Sequence, residues 1–105
     1  MNTYEMNGKT YNLHYSIGRI ELIEKAVGRS IFTLAVDCSN NKMPSISEIK
    51  TYFAYGLMDE KGIYAPVKKA AEYAEDCMKE KGVMQLFSEI FDKIQEDCGF
   101  LFQGA

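Results

Sequence analysis

The one histidine, His14, is the side chain whose unperturbed pKa lies closest to neutrality. A catalytic histidine needs a nucleophile to deprotonate or a carboxylate to orient it. Its neighbours Asn12, Leu13 and Tyr15 supply neither, so His14 reads as a surface residue. The cysteines Cys38, Cys77 and Cys98 are odd in number and form no Cys-x-x-Cys pair, and none lies near His14 in sequence. Zinc-ligand spacing is therefore missing, and the thiols read as small hydrophobes in a reducing compartment. Asp59-Glu60 and Glu72 with Asp76 bring carboxylates together, as a metal site or an acid–base pair would. On the outer side of an amphipathic helix such groups are simply solvated. No EF-hand loop is present, and Gly56 and Gly62 form neither GxGxxG nor a phosphate-binding loop. The expectation is a protein that is not an enzyme and takes no cofactor and no metal.

A different chemistry is better supplied. Seven tyrosines, six phenylalanines and six methionines are a heavy load for 105 residues. Most fall at helical spacing and read as core. The exceptions are Tyr55, on the polar arc of its helix, and Phe100-Leu101-Phe102, beyond the last helix. With Tyr4 and Tyr11 of an N-terminal hairpin face, these are the candidate partner-binding residues, because Tyr and Met supply contact area at low ordering cost.

The elements that must position them form an α+β fold, predominantly helical: one domain, 1–105, with a β-hairpin (1–16), a body of four to five amphipathic helices (17–98) and an apolar tail (99–105). Asn7-Gly8 is the preferred dipeptide of a type I′ turn, where both residues take φ > 0. That turn sets Met6 opposite Lys9 and Tyr4 opposite Tyr11. Tyr4, Met6, Tyr11, Leu13 and Tyr15 then share one face, and Thr3, Glu5, Thr10, Asn12 and His14 the other. Such a hairpin is marginal alone, so its apolar face must lie on helices or on another chain, and its outer edge carries unpaired backbone groups.

Helix 17–28 carries Ile17, Ile20, Ile23 and Val27, widened by Leu22 and Ala26, with Gly28 as its stop. Ser30 caps a short helix from Ile31 to about Val36, and 38–44 reads as loop. Ser45-Ile46-Ser47-Glu48 is a capping box opening helix 46–58, whose stripe holds Ile46, Ile49, Phe53, Gly56 and Leu57. The bare Gly56 would let another backbone approach. Residues 59–63 read as a turn. Helix 66–81 shows a narrow stripe of small residues around Ala70, Ala74 and Cys77. Gly82 ends it, and 83–98 places Leu86, Phe87, Ile90, Phe91 and Ile94 inward and Glu89, Asp92, Lys93 and Glu96 outward. Glu21–Lys25, Lys68–Glu72 and Glu75–Lys79 are spaced as intrahelical pairs.

Net charge is -3, with twelve basic residues interleaved among fifteen acidic ones. No concentrated positive face is expected, which counts against nucleic acid and against a polybasic membrane anchor. No apolar run approaches the ~20 residues of a membrane span, and no signal peptide is expected.

Asn7-Gly8-Lys9-Thr10-Tyr11, then Ile23-Glu24-Lys25-Ala26-Val27-Gly28-Arg29-Ser30, then Ala54-Tyr55-Gly56-Leu57 resemble, in order and spacing, the tail assembly chaperones of siphophages and prophages of Gram-positive bacteria. The likeness covers about residues 3–58, and Arg29 stands where lysine is commoner. It implies a chaperone that binds the tape measure protein, a long apolar helical client, and aids recruitment of tail tube protein around it. It also implies a protein of the bacterial host cytoplasm that is absent from the mature virion. A homo-oligomer is expected in the free state. The alternatives are a small prophage regulator that binds nucleic acid and a structural head–tail connector subunit.

Overall fold

Asn7 and Gly8 take φ of 53° and 77°, so the hairpin turns where the dipeptide requires it. The computed structural model describes residues 2–104. Met1 and Ala105, the ends of the expected domain and tail, lie outside the described residues. Strand β1 (Tyr4–Met6) pairs antiparallel with β2 (Lys9–Leu13), with Tyr4 opposite Tyr11 and Met6 opposite Lys9, as the turn dictates. Helices α1 (Ile17–Val27), α2 (Ile31–Ser39) and α3 (Ile46–Gly56) follow, then strand β3 (Leu57–Asp59), helices α4 (Val67–Lys81) and α5 (Val83–Cys98), and a closing 3-10 turn, Gly99–Phe102. The protein is α+β and predominantly helical, with a three-stranded antiparallel sheet ordered β1-β2-β3.

Local chemistry sets the helix ends. The hydroxyls of Ser16 and Ser30 accept from the Arg19 and Thr33 amides. At α3 the Ser45 hydroxyl accepts from the Glu48 amide while Glu48 Oε1 accepts from the Ser45 amide, completing the box. Gly82 at φ 92° breaks α4 from α5 with no intervening loop.

Helix α3 is the centre, with α1, α4, α5 and β2 packed around it. Ile20, Ile23, Ile49, Phe53, Ala74, Phe87, Ile90 and Ile94, all inward by spacing, are buried. The Phe53 ring lies 5.1 Å from that of Tyr4, edge-on at 87°, and 6.0 Å from that of Tyr73. The small residues Ala70 and Ala74 bring α4 against α3.

The structure differs from the sequence reading at several places. Residues 57–59 are a strand, not the end of a helix and the start of a turn: Leu57 lies opposite Leu13 and Asp59 opposite Tyr11. At Gly56 a backbone does approach, the His14 amide donating to its carbonyl at 2.7 Å, but the space its side chain would fill is taken by the Tyr15 ring, whose hydroxyl donates to the Tyr52 carbonyl at 2.8 Å. Glu89 is turned inward, 7% exposed, and Ile46 outward, 59% exposed at the helix tip. Helix α2 runs on to Ser39, and the tail has a 3-10 turn, since Gly99 keeps helical angles (φ -56°, ψ -27°). Glu75 pairs with Lys50 of α3 at 2.6 Å in place of Lys79, and the Glu21–Lys25 and Lys68–Glu72 pairs are not among the ion pairs of the described residues.

Candidate partner-binding surface

The six candidate residues separate into three places. Tyr4 and Tyr11 are 2% and 6% exposed and belong to the core. The hairpin's apolar face is therefore closed by this chain's own helices and cannot also meet a partner, which corrects that expectation. The outer edge of β1 is partly closed too, since the Glu5 amide donates to the Tyr73 hydroxyl of α4 at 3.1 Å. Burial and the hydrogen bond to Glu5 act oppositely on the Tyr73 phenol, and burial dominates, so its pKa is pushed up to about 12.

Tyr55 is half-buried beneath Arg19. Arg19 Nε donates to the Tyr55 carbonyl at 2.8 Å, and its guanidinium stands 5.3 Å from the Tyr55 ring and 3.8 Å from that of Tyr64. This stacked cation pins α1 to α3. At roughly 100° per residue, Arg19 points about 160° around α1 from Ile17. Tyr55 thus lies on another face of α1 from the tail.

The tail residues come to an apolar corner. Leu101 lines a cleft with Ile17, Ile20, Ile31 and Phe32, and Glu21 and Glu24 of α1 form its polar side. Four rings run beside it: Phe32 to Phe102 at 6.1 Å, Phe102 to Phe91 at 6.2 Å and Phe91 to Phe87 at 5.9 Å. Phe87 is buried at one end of this series, whereas Phe32 at the other is 51% exposed. Phe100 and Phe102 are exposed as well, as are Ile17 and, one turn along α2 from Phe32, Val36. The side chains that sequence reasoning missed are Phe32 and Ile17. The available signal was in α2 itself: Ile31, Phe32, Leu34, Ala35 and Val36 make it apolar almost all round, more than one core-facing stripe needs.

Comparison with family models, with curated proteins and with solved structures finds no match to the chain.

The remaining candidate chemistry is held in structural roles. His14 Nδ1 stands 3.8 Å from Asp97 Oδ2, and that carboxylate accepts from the Tyr15 amide at 2.9 Å. Cys77 and Cys98 are buried, Cys38 is half-buried, and burial pushes all three thiols up, which keeps them protonated at neutral pH. Asp59 Oδ1 caps its own turn by accepting from the Lys61 and Ile63 amides, both at 2.9 Å. No group of three or more His, Cys, Asp or Glu among the described residues is placed to hold a metal ion. No helix among them is long and apolar enough to cross a membrane.

Proposed function

We propose that this protein is a non-catalytic tail assembly chaperone that holds an apolar helical segment of a phage tape measure protein in the cleft between α1, α2 and the 3-10 turn. The observation that supports the reading is the apolar corner itself, where the exposed Ile17 and Phe32 line a cleft with Ile20, Ile31 and Leu101, and the exposed Phe102 ring stands 6.1 Å from that of Phe32. Exposed apolar surface gathered at one place marks a surface that something covers. A shallow cleft between helices suits the apolar face of an amphipathic helix. The resemblance of residues 3–58 to the chaperone family supplies the client's identity, the recruitment of tail tube protein, and the place of action in the host cytoplasm, apart from the mature virion. The net charge of -3 keeps a complex with an apolar client dispersed. Without client, two copies cover each other's corner as a homo-oligomer.

The test is co-expression with a siphophage tape measure protein as the candidate client. The wild-type chain keeps the client in the supernatant and co-purifies with it. Phe32→Ala with Phe102→Ala, or removal of residues 100–105, sends the client to the pellet. A wild-type chain that holds no tape measure segment in solution overturns the reading.

A further inference from the structure

We propose that the helix received by this cleft is basic along one flank, with two Lys or Arg residues one turn apart that pair with Glu21 and Glu24. The inference rests on the cleft being the client site and adds what the site selects for. The cleft's lining has two carboxylates and no cation. Helix α2 contains no Lys or Arg, and neither does the 3-10 turn. Arg29, the basic residue just before α2, is already held by Asp37 at 2.6 Å and by Glu48 at 2.7 Å. Glu21 is exposed and takes part in no ion pair among the described residues, not even with Lys25 four positions on. Glu24 spends one oxygen, Oε2, on the Ile31 amide at 2.8 Å, and Oε1 has no partner within the described residues.

The spacing turns this into a specification. Glu21 and Glu24 are three residues apart, so they stand on one side of α1 with Cβ atoms about 5–6 Å apart. A helix laid along α1 offers the same interval between its own residues three or four apart. When its apolar face closes the cleft, both carboxylates lose water. A client with cations at that interval replaces the lost hydration, and a client with acids there adds like-charge repulsion. The apolar stripe supplies affinity, and the carboxylate pair chooses among apolar helices.

The experiment uses the full chain and two labelled synthetic peptides of about five helical turns. Both carry the same Leu/Ile stripe, with flanks of Lys in one and Glu in the other, and binding is read by fluorescence anisotropy. The Lys peptide binds about tenfold tighter at about 50 mM salt, and the gap closes at about 500 mM. Glu21→Lys with Glu24→Gln, checked for native helix content by circular dichroism, reverses the preference; glutamine keeps an acceptor for the Ile31 amide. Equal binding of both peptides, with both weakened by Phe32→Ala, overturns the charge selection and leaves the cleft reading standing. No binding of either peptide overturns both. A dimer that Phe32→Ala splits and the Lys peptide does not displace gives the cleft to a second copy, and that outcome also overturns the proposal.

Discussion

The Tyr4 hydroxyl donates to Glu89 Oε1 at 2.6 Å, joining the first strand to the last long helix across 85 positions of sequence. Lys81 Nζ and Gln85 Nε2 donate to the same carboxylate at 3.0 Å each. Burial pushes the Glu89 carboxyl up, but the hydrogen bonds from Tyr4, Gln85 and Lys81 together outweigh it and hold it below its ordinary value. Burial and the same carboxylate push the Tyr4 phenol far up.

A pH dependence follows. Because the folded carboxyl is held below its unfolded value of about 4.3, its stabilisation is complete above that pH and is lost as the pH falls through the folded value. Urea midpoints of the wild type should drop between about pH 5 and pH 3 more steeply than those of Glu89→Gln. Tyr4→Phe should cost about 1–2 kcal/mol at neutral pH, the effect of leaving a buried carboxylate one donor short. Parallel pH profiles for wild type and Glu89→Gln would show that the carboxylate's charge contributes nothing.

Two glycines should respond in opposite directions. A Cβ on Gly56 would overlap the Tyr15 ring and stand 2.5 Å from its hydroxyl oxygen, and that ring is fixed by its bond to the Tyr52 carbonyl. Gly56→Ala should cost about 1–3 kcal/mol or more, as overpacking does. Gly99 has helical angles and open space around its Cβ position. Gly99→Ala should be neutral or stabilising by up to about 1 kcal/mol. Thermal melts of the two variants read the contrast directly.

Arg29 bridges Asp37 of α2 and Glu48 of α3 through Nη1 at 2.6 Å, Nε at 2.7 Å and Nη2 at 3.2 Å. Lysine offers a single charged nitrogen and cannot reproduce this fork. The bridge is partly solvated, so Arg29→Ala should cost only about 1 kcal/mol, with Arg29→Lys recovering less than half. Full recovery by lysine in denaturant titration would mean that charge alone matters there.

The core should report through Ile90 and Phe53, both fully buried. Ile90→Ala should cost about 2–5 kcal/mol and Phe53→Ala about 3–5 kcal/mol. Losses below half of these ranges at both positions would place the centre of the core elsewhere.

Elements defined by local chemistry were legible in the sequence. Asn7-Gly8 set the hairpin register, Ser45 with Glu48 the start of α3, and Gly82 the break before α5. Features that depend on distant partners were not. Leu57-Met58-Asp59 continues a helical stripe and becomes strand only because β2 presents an open edge to it. Glu89 sits at an outward position of a helical wheel, yet the Tyr4 hydroxyl and the Lys81 ammonium make it satisfiable inside. Of the candidate site, the tail residues and the apolar excess were readable. Their neighbours across the cleft were not, because Phe32 meets Phe102 only through tertiary packing.

The sheet order and the Tyr4–Glu89 bond also have a consequence in time. The hairpin leaves the ribosome before the elements that cover it: β3 follows it by more than forty residues, and Glu89 follows Tyr4 by 85 positions. At roughly 5–20 residues per second, Tyr4, Tyr11, Leu13 and Tyr15 wait several seconds for the helices that will cover them. The order of emergence thus exposes a protein proposed to shelter another's apolar helix to the same hazard during its own birth.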